Sequence, residues 1–176
     1  LPRSPQRAIR CARRKGSAHR PLLPRRESAK PTVRLQLPVD DQWGSQQKFE
    51  ACDLLDIKGK RLIHVKKSSR QSSVLSHFFK QGSNSARILK TIPEARAALI
   101  DKVRDLTNDA TADAMQAGMN DTMNGWKVEL HIVDAPRNDG VFMIPFFSRI
   151  TLQDECRNLR GMAYDVSLRF IPTPAA

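Results

Sequence analysis

Aromatic residues are scarce in this chain, 6% of the total with a single tyrosine, which leaves little material for a base-stacking platform of the kind single-strand binders use. Cysteine is scarcer still. Cys11, Cys52 and Cys156 form no CxxC pair and are odd in number, which argues against a disulfide framework or zinc knuckle and makes a reducing cytoplasm the expected setting. There is no run of about 18 apolar residues, so no membrane span is expected. The basic N-terminal text leads into Pro, Ser and more Arg without an apolar core, so no signal peptide is expected. GxSxG, HExxH, P-loop and dinucleotide fingerprints are also missing, which disfavours serine hydrolase, zinc protease, nucleoside triphosphatase and Rossmann functions.

Acidic residues are in short supply as well, and the formal charge is +12 over 176 residues. That excess is uneven. Residues 1–40 hold eleven Lys and Arg against Glu27 and Asp40, leaving nineteen bases against sixteen acids in the remainder. Pro2, Pro5, Pro21, Pro24 and Pro31 interrupt this stretch, and it shows neither the 2.0 nor the 3.6 period, so residues 1–45 are expected to be a disordered basic tail. Such a tail can hold phosphate backbones without sequence preference. Arg/Pro/Ser text also arises from a misassigned start, so the charge alone says little about function.

From residue 46 to 176 the text is that of one ordinary domain, long enough to bury a core. Phe49 to Ile57 and Arg61 to Lys67 predict two strands joined by a Gly59-containing hairpin turn. Ser72 or Ser73 would cap a helix with Leu75, Phe78 and Phe79 on one face, ended by Gly82. A short helix over Ser85 to Lys90 is expected next, then one opening at Pro93 with Leu99, Val103 and Leu106 at helical spacing. A third helix carries Met115, Met119 and Met123, for which core filling is the expected role. Trp126, Val128, Leu130 and Ile132 alternate with Lys127, Glu129 and His131, as in a half-buried strand. A short strand over Val141 to Phe147, a helix capped by Thr151 with Asp154, and a last strand through Val166, Leu168 and Phe170 complete the order. This predicts an α/β (α+β) fold, a mixed β-sheet flanked by helices.

The chemically suggestive run is CDLLDIKGKRLIHVKK, Cys52 to Lys67. An acid on one strand of a hairpin and a polar-x-Lys on the next, followed by a helix, is the layout of restriction-endonuclease-like, metal-dependent nucleases. Asp53 and His64 would ligate Mg²⁺ or Mn²⁺ against a phosphate, with Lys66 positioning the attacking water and His64 able to serve as general base. His64 and Lys66 share a strand face by alternation, and Asp53 can face them across the hairpin. Imidazole is a poor magnesium ligand and suits manganese better. This reading requires the three side chains to converge around a cleft; the bland alternative is an ordinary hairpin with a solvated lysine. Lys67, Arg70, Ser72 and Ser73 precede a helix N-terminus, where free N–H groups and the helix dipole favour phosphate. A solvated turn with a serine cap explains them equally well.

CDLLDIKGKRLIHVKKSSRQSSVLSHFFKQGSNSARIL and the later IPFFSRITLQDECRNLRGMAYDVSLRFI together resemble the C-terminal portion of a sporadically distributed, functionally uncharacterised bacterial family. Its signature runs CDL…IHVK…SSxLSHxFxQG and closes on PFFS. This chain departs from it at Ala163-Tyr164, where a Gly before the aromatic is more usual. The resemblance implies a shortened member of a longer family, with a scattered distribution that suits mobile or defence-linked genes. Two functions follow as expectations: nucleic-acid binding with divalent-metal-dependent phosphodiester cleavage, or a non-catalytic interaction or regulatory fragment of a longer protein.

Overall fold

The Asp56–Arg61 turn forms where Gly59 predicts it. Gly59 N–H donates to Asp56 Oδ1 (3.0 Å), and Asp56 Oδ2 accepts from Arg61 Nε (2.7 Å). A Cβ on Gly59 would run into the Asp56 carboxylate that folds back over it, so the close approach selects glycine here. The left-handed position of the turn falls instead on Lys60 (φ 51°). The structure, a computed structural model, describes residues 33–36, 48–119, 122–135 and 142–173, without the side chains of residues 33–36, 48 and 49.

In chain order the elements are β1 (Val33–Gln36), β2 (Lys48–Cys52), β3 (Leu54–Asp56), β4 (Arg61–Lys67), α1 (Ser72–Thr91), α2 (Pro93–Leu106), α3 (Asp109–Met119), β5 (Lys127–Asp134), α4 (Phe146–Gly161) and β6 (Asp165–Pro172). Strands β3-β4-β5-β6 make one mixed sheet, with β3 antiparallel to β4 and β4, β5 and β6 mutually parallel. β1 and β2 form a separate antiparallel pair. The fold is therefore α+β with a mixed sheet and flanking helices. No described helix is long and apolar enough to cross a membrane.

Leu62 and His64 of β4 and Val128, Leu130 and Ile132 of β5 are buried; their even numbering puts them on one sheet face. Helix α1 lies on that face, and Gly82 is the point of contact: a Cβ there would sit 3.0 Å from Leu130 Cδ2 and 3.3 Å from His64 Cδ2. Trp126 is fully buried, its indole N–H donating to Gly118 O (3.3 Å). Met115, Met119 and Met123 fill the core around it, at most 1% exposed, as their spacing predicts.

Several boundaries differ from expectation. The expected strand Phe49 to Ile57 is broken at Asp53, with β2 pairing to β1 and β3 to β4. Most of residues 1–45 lies outside the described residues, but within it Val33–Gln36 is a strand. Gly82 does not end a helix; α1 runs through it and absorbs the short helix expected at Ser85 to Lys90. Tertiary contact at Gly82 outweighs a helix-propensity cost of about 1 kcal/mol. Neither Ser72 nor Ser73 caps α1, whose N-cap is Gln71 with no side-chain cap bond. The strand expected over Val141 to Phe147 is absent among the described residues. Phe146 and Phe147 instead open α4 behind Pro145, and Thr151 lies inside that helix, its hydroxyl 3.2 Å from Phe147 O and 3.2 Å from Ser76 Oγ.

The C-terminus of α4 places Ala163 in a left-handed conformation. Its N–H donates to Arg160 O (2.9 Å), and Tyr164 N–H donates to Leu159 O (3.1 Å), the paired bonds of a Schellman motif. Leu159 and Tyr164, both buried, supply its apolar contact. The motif needs a left-handed residue after the cap; Ala163 adopts it (φ 61°) at a cost that glycine avoids.

Two stability outcomes follow. Ala163→Gly should raise the urea midpoint by the equivalent of about 1 kcal/mol. Gly82→Val should cost about 1–3 kcal/mol by overpacking. Gly82→Ala should stay near neutral, because its helix-propensity gain of about 1 kcal/mol offsets the contact with Leu130. A valine variant as stable as wild type would show that α1 does not depend on this approach.

Candidate functional site

At Asp53 the chain passes from β2 to β3. Its N–H donates to Ile63 O (3.0 Å) and its carboxylate Oδ2 accepts the N–H of Val65 (2.7 Å). Asp53 thus carries the β3–β4 ladder one step further, with a side-chain oxygen in place of a backbone carbonyl, and the bond is charge-assisted. His64 follows on β4, only 2% exposed beneath Gly82. Burial pushes its pKa down to about 4, outweighing the attraction of the nearby Asp53 charge. Its Nε2 is buried without a hydrogen-bond partner. Lys66 shares the strand parity of His64 but is exposed, beyond the cover of α1.

The structure therefore brings Asp53 and His64 together and leaves Lys66 in a different environment. This set does not fit a magnesium or manganese centre. It offers one carboxylate already bound to a backbone amide and one imidazole enclosed by a helix, whereas such ions need several oxygen donors and retain water. Among the described residues no three His, Cys, Asp or Glu are grouped to hold a metal ion. Glu50, the other acid near the hairpin, accepts from Gln81 Nε2 (3.2 Å) on α1. A groove of about 710 Å³ is lined elsewhere, by residues such as Leu55, Ile57, Val103 and Leu106. Cys52 is buried and its thiol is pushed up to about 12, chiefly by burial, so it is no nucleophile.

The basic end of the hairpin is built differently. Lys66, Lys67 and Arg70 are exposed at and just past the carboxyl end of β4, and none has an acidic partner among the described residues. Ser148 of α4 is fully buried and donates to Ser72 O (2.8 Å). The 2.9 Å contact between Ser72 Oγ and Ser148 Oγ therefore uses the Ser72 proton. Ser72, expected to hold phosphate, instead uses its hydroxyl to join two helix starts; Ser73 remains exposed. The Ser72–Ser148 and Ser76–Thr151 contacts set α1 and α4 side by side with their N-termini together. Both first turns lack acidic residues and side-chain N-caps.

Two features are not legible in the sequence. On the opposite sheet face Glu129, 3% exposed, accepts from His131 Nε2 (2.9 Å) and lies against Arg61 Nη1 (3.4 Å) and Arg169 Nη2 (3.7 Å). Burial alone would raise its pKa, but His131, Arg169 and Arg61 together hold it below its ordinary value. Alternation marks Glu129 as the polar half of a strand, but it does not give the register that brings Arg61 and Arg169 to it. The second is the start of α4, where Phe146, Phe147 and Arg149 are exposed; the expected strand conceals it.

His64 makes stability depend on pH. The unfolded imidazole protonates near 6.5 and the folded one near 4, so stability is full above about pH 6.5 and falls as pH drops towards 4, by on the order of 3 kcal/mol. Glu129 is held low, so its contribution is present above its ordinary value and fades only below it. Urea midpoints for wild type and His64→Leu should diverge between pH 7.5 and 5, with the wild type losing more. Parallel curves would mean that His64 is not buried neutral.

Comparisons place this geometry in context. No curated protein and no solved structure matches, so the restriction-endonuclease-like layout stays an inference from the hairpin pattern. A family model, described as a family of unknown function (DUF6119), matches residues 38–172, which span every strand and helix from β2 to β6. The chain belongs to this functionally uncharacterised family.

Proposed function

We propose that this domain is a non-catalytic docking module for polyanions, with nucleic acid as the ligand class, and that it binds at the carboxyl ends of β4, β5 and β6. The observation that carries this is the row Lys66, Lys67 and Arg70, without acidic partners among the described residues, beside two adjoining helix N-termini. Cations without acidic partners near uncapped N–H groups give a local positive field, and backbone donors at helix starts suit phosphate oxygens. Ligands of open parallel sheets gather at the carboxyl ends of the strands, where these residues lie. Arg149 adds an exposed cation in the first turn of α4, and Asp134 at the end of β5 is the opposing charge at the strand ends. Asp53 and His64 act in this reading as ladder extension and core, and Lys66 as a phosphate contact.

The test is salt-dependent binding of a DNA or RNA oligonucleotide to the full chain. Lys66→Ala, Lys67→Ala and Arg70→Ala combined should weaken binding at least tenfold and flatten the slope of log K against log salt by roughly 0.7–0.9 for each phosphate that is no longer neutralised. An unchanged affinity and slope would assign binding to the N-terminal basic segment and overturn the proposal. Plasmid incubated with Mg²⁺ or Mn²⁺ should remain intact. Nicking that disappears in Asp53→Ala and Lys66→Ala would instead establish a metal-dependent phosphodiesterase.

A further inference from the structure

The first turn of α4 exposes two adjacent phenylalanines, Phe146 at 62% and Phe147 at 70%. They belong to a local concentration: of six large apolar residues exposed among the described residues, Met143, Phe146, Phe147 and Ile150 fall within one short segment. The rings meet at 74° with centroids 5.5 Å apart, an edge-to-face pair that leaves ring faces open to solvent. The Arg149 guanidinium lies 5.8 Å from the Phe146 centroid, so Phe147 presents the more open face.

Their position matters more than their number. Ser148 follows Phe147 directly and is bonded to Ser72, which lies two residues past Arg70. The serine contact therefore ties the helix start that carries the aromatic pair and Arg149 to the helix start that follows the cationic row. An apolar patch for a protein partner has no need of cations that lack acidic partners among the described residues on the helix start and strand end joined to it by the serine contact; a ligand that alternates flat apolar faces with phosphates needs both. We infer that the ligand is single-stranded nucleic acid, with one or two bases stacked on Phe147 and Phe146 and the flanking phosphates held by Lys66, Lys67, Arg70 and Arg149. Duplex is disfavoured because its bases already stack on one another and cannot reach a ring without being unpaired.

This inference rests on the docking function proposed above and adds the strand state of the ligand. The experiment compares a labelled oligothymidylate with a duplex of equal length, by anisotropy, on the full chain. The wild type should prefer the single strand by about tenfold, in keeping with one to two stacked bases. Phe146→Leu with Phe147→Leu keeps apolar bulk but removes the rings, and should abolish that preference while leaving duplex affinity unchanged. Phe147→Trp should retain it. The Lys66, Lys67 and Arg70 triple variant should weaken both ligands alike.

Because the basic segment at residues 1–40 contributes to both ligands, the preference ratio is the diagnostic quantity. A leucine variant with the wild-type ratio would overturn the stacking inference and leave polyanion docking standing. Failure of the wild type on both oligonucleotides would remove the docking function itself. Anionic phosphatidylserine vesicles form the third arm: if the leucine variant loses vesicle binding with oligonucleotide affinities intact, the rings insert into lipid and the inference is wrong. Since both rings are exposed, thermal melts should coincide across the phenylalanine variants.

Discussion

The contact of Gly82 with His64 and Leu130 is the constraint on which the other features depend. A Cβ on Gly82 would meet Leu130 at 3.0 Å and His64 at 3.3 Å, so alanine fits only if its neighbours give by a few tenths of an ångström and a larger side chain must push the helix away. Its first consequence is burial of the imidazole, which makes His64 neutral and part of the core. Its second is the placement of the start of α1. With the middle of the helix pinned over β4 and β5, its first turn reaches the carboxyl end of β4 and its neighbour α4 begins beside it. The segment that carries the basic row and the helix start that carries the aromatic pair are joined there through Ser72 and Ser148.

His64 shows why pattern reading locates the hairpin correctly and its chemistry less well. Alternation assigns His64 and Lys66 to one strand face, and both belong to it. Alternation carries no information about where a covering helix stops. Gly82 signals a helix end by composition and a close approach by context, and only the sheet beneath supplies that context. The same limit applies at Thr151, whose hydroxyl and following acid match a capping pattern although the helix starts five residues earlier at Phe146. Where the signal depends on burial alone, as with Trp126, the three methionines and the apolar half of β5, the sequence is sufficient. The left-handed conformation of Ala163 is not legible in the sequence, because nothing in the local text marks an alanine for positive φ.

Glu129 and Asp53 show two ways in which a carboxylate is held in this fold. Asp53 replaces a missing rung of the ladder, so its charge is engaged by Val65. Glu129 is shielded by the side chains of Arg61, His131 and Arg169, drawn from three adjacent strands. Both arrangements tie strands together, and both consume the charge they contain. Among the described residues at the carboxyl ends of β4 and β5, Lys66, Lys67 and Arg70 outnumber Asp134, although acids and bases outside the first forty residues nearly balance.

The two helix starts carry a cost that stability alone would not select. A serine, threonine or aspartate cap at Gln71 or Pro145 would satisfy a free N–H and contribute on the order of 1 kcal/mol each, and Ser72 is one residue out of register to do so. Its hydroxyl is engaged with Ser148 instead. The exposed rings of Phe146 and Phe147 are a second cost, since both could be polar without loss to the core. Exposed rings are unfavourable in the free domain, while the uncapped amides and the cations are satisfied there by water alone; a ligand that supplies phosphate oxygens and flat apolar faces would engage all three. Their coincidence at one end of the parallel strands is more economically explained by a ligand than by three unrelated imperfections of folding.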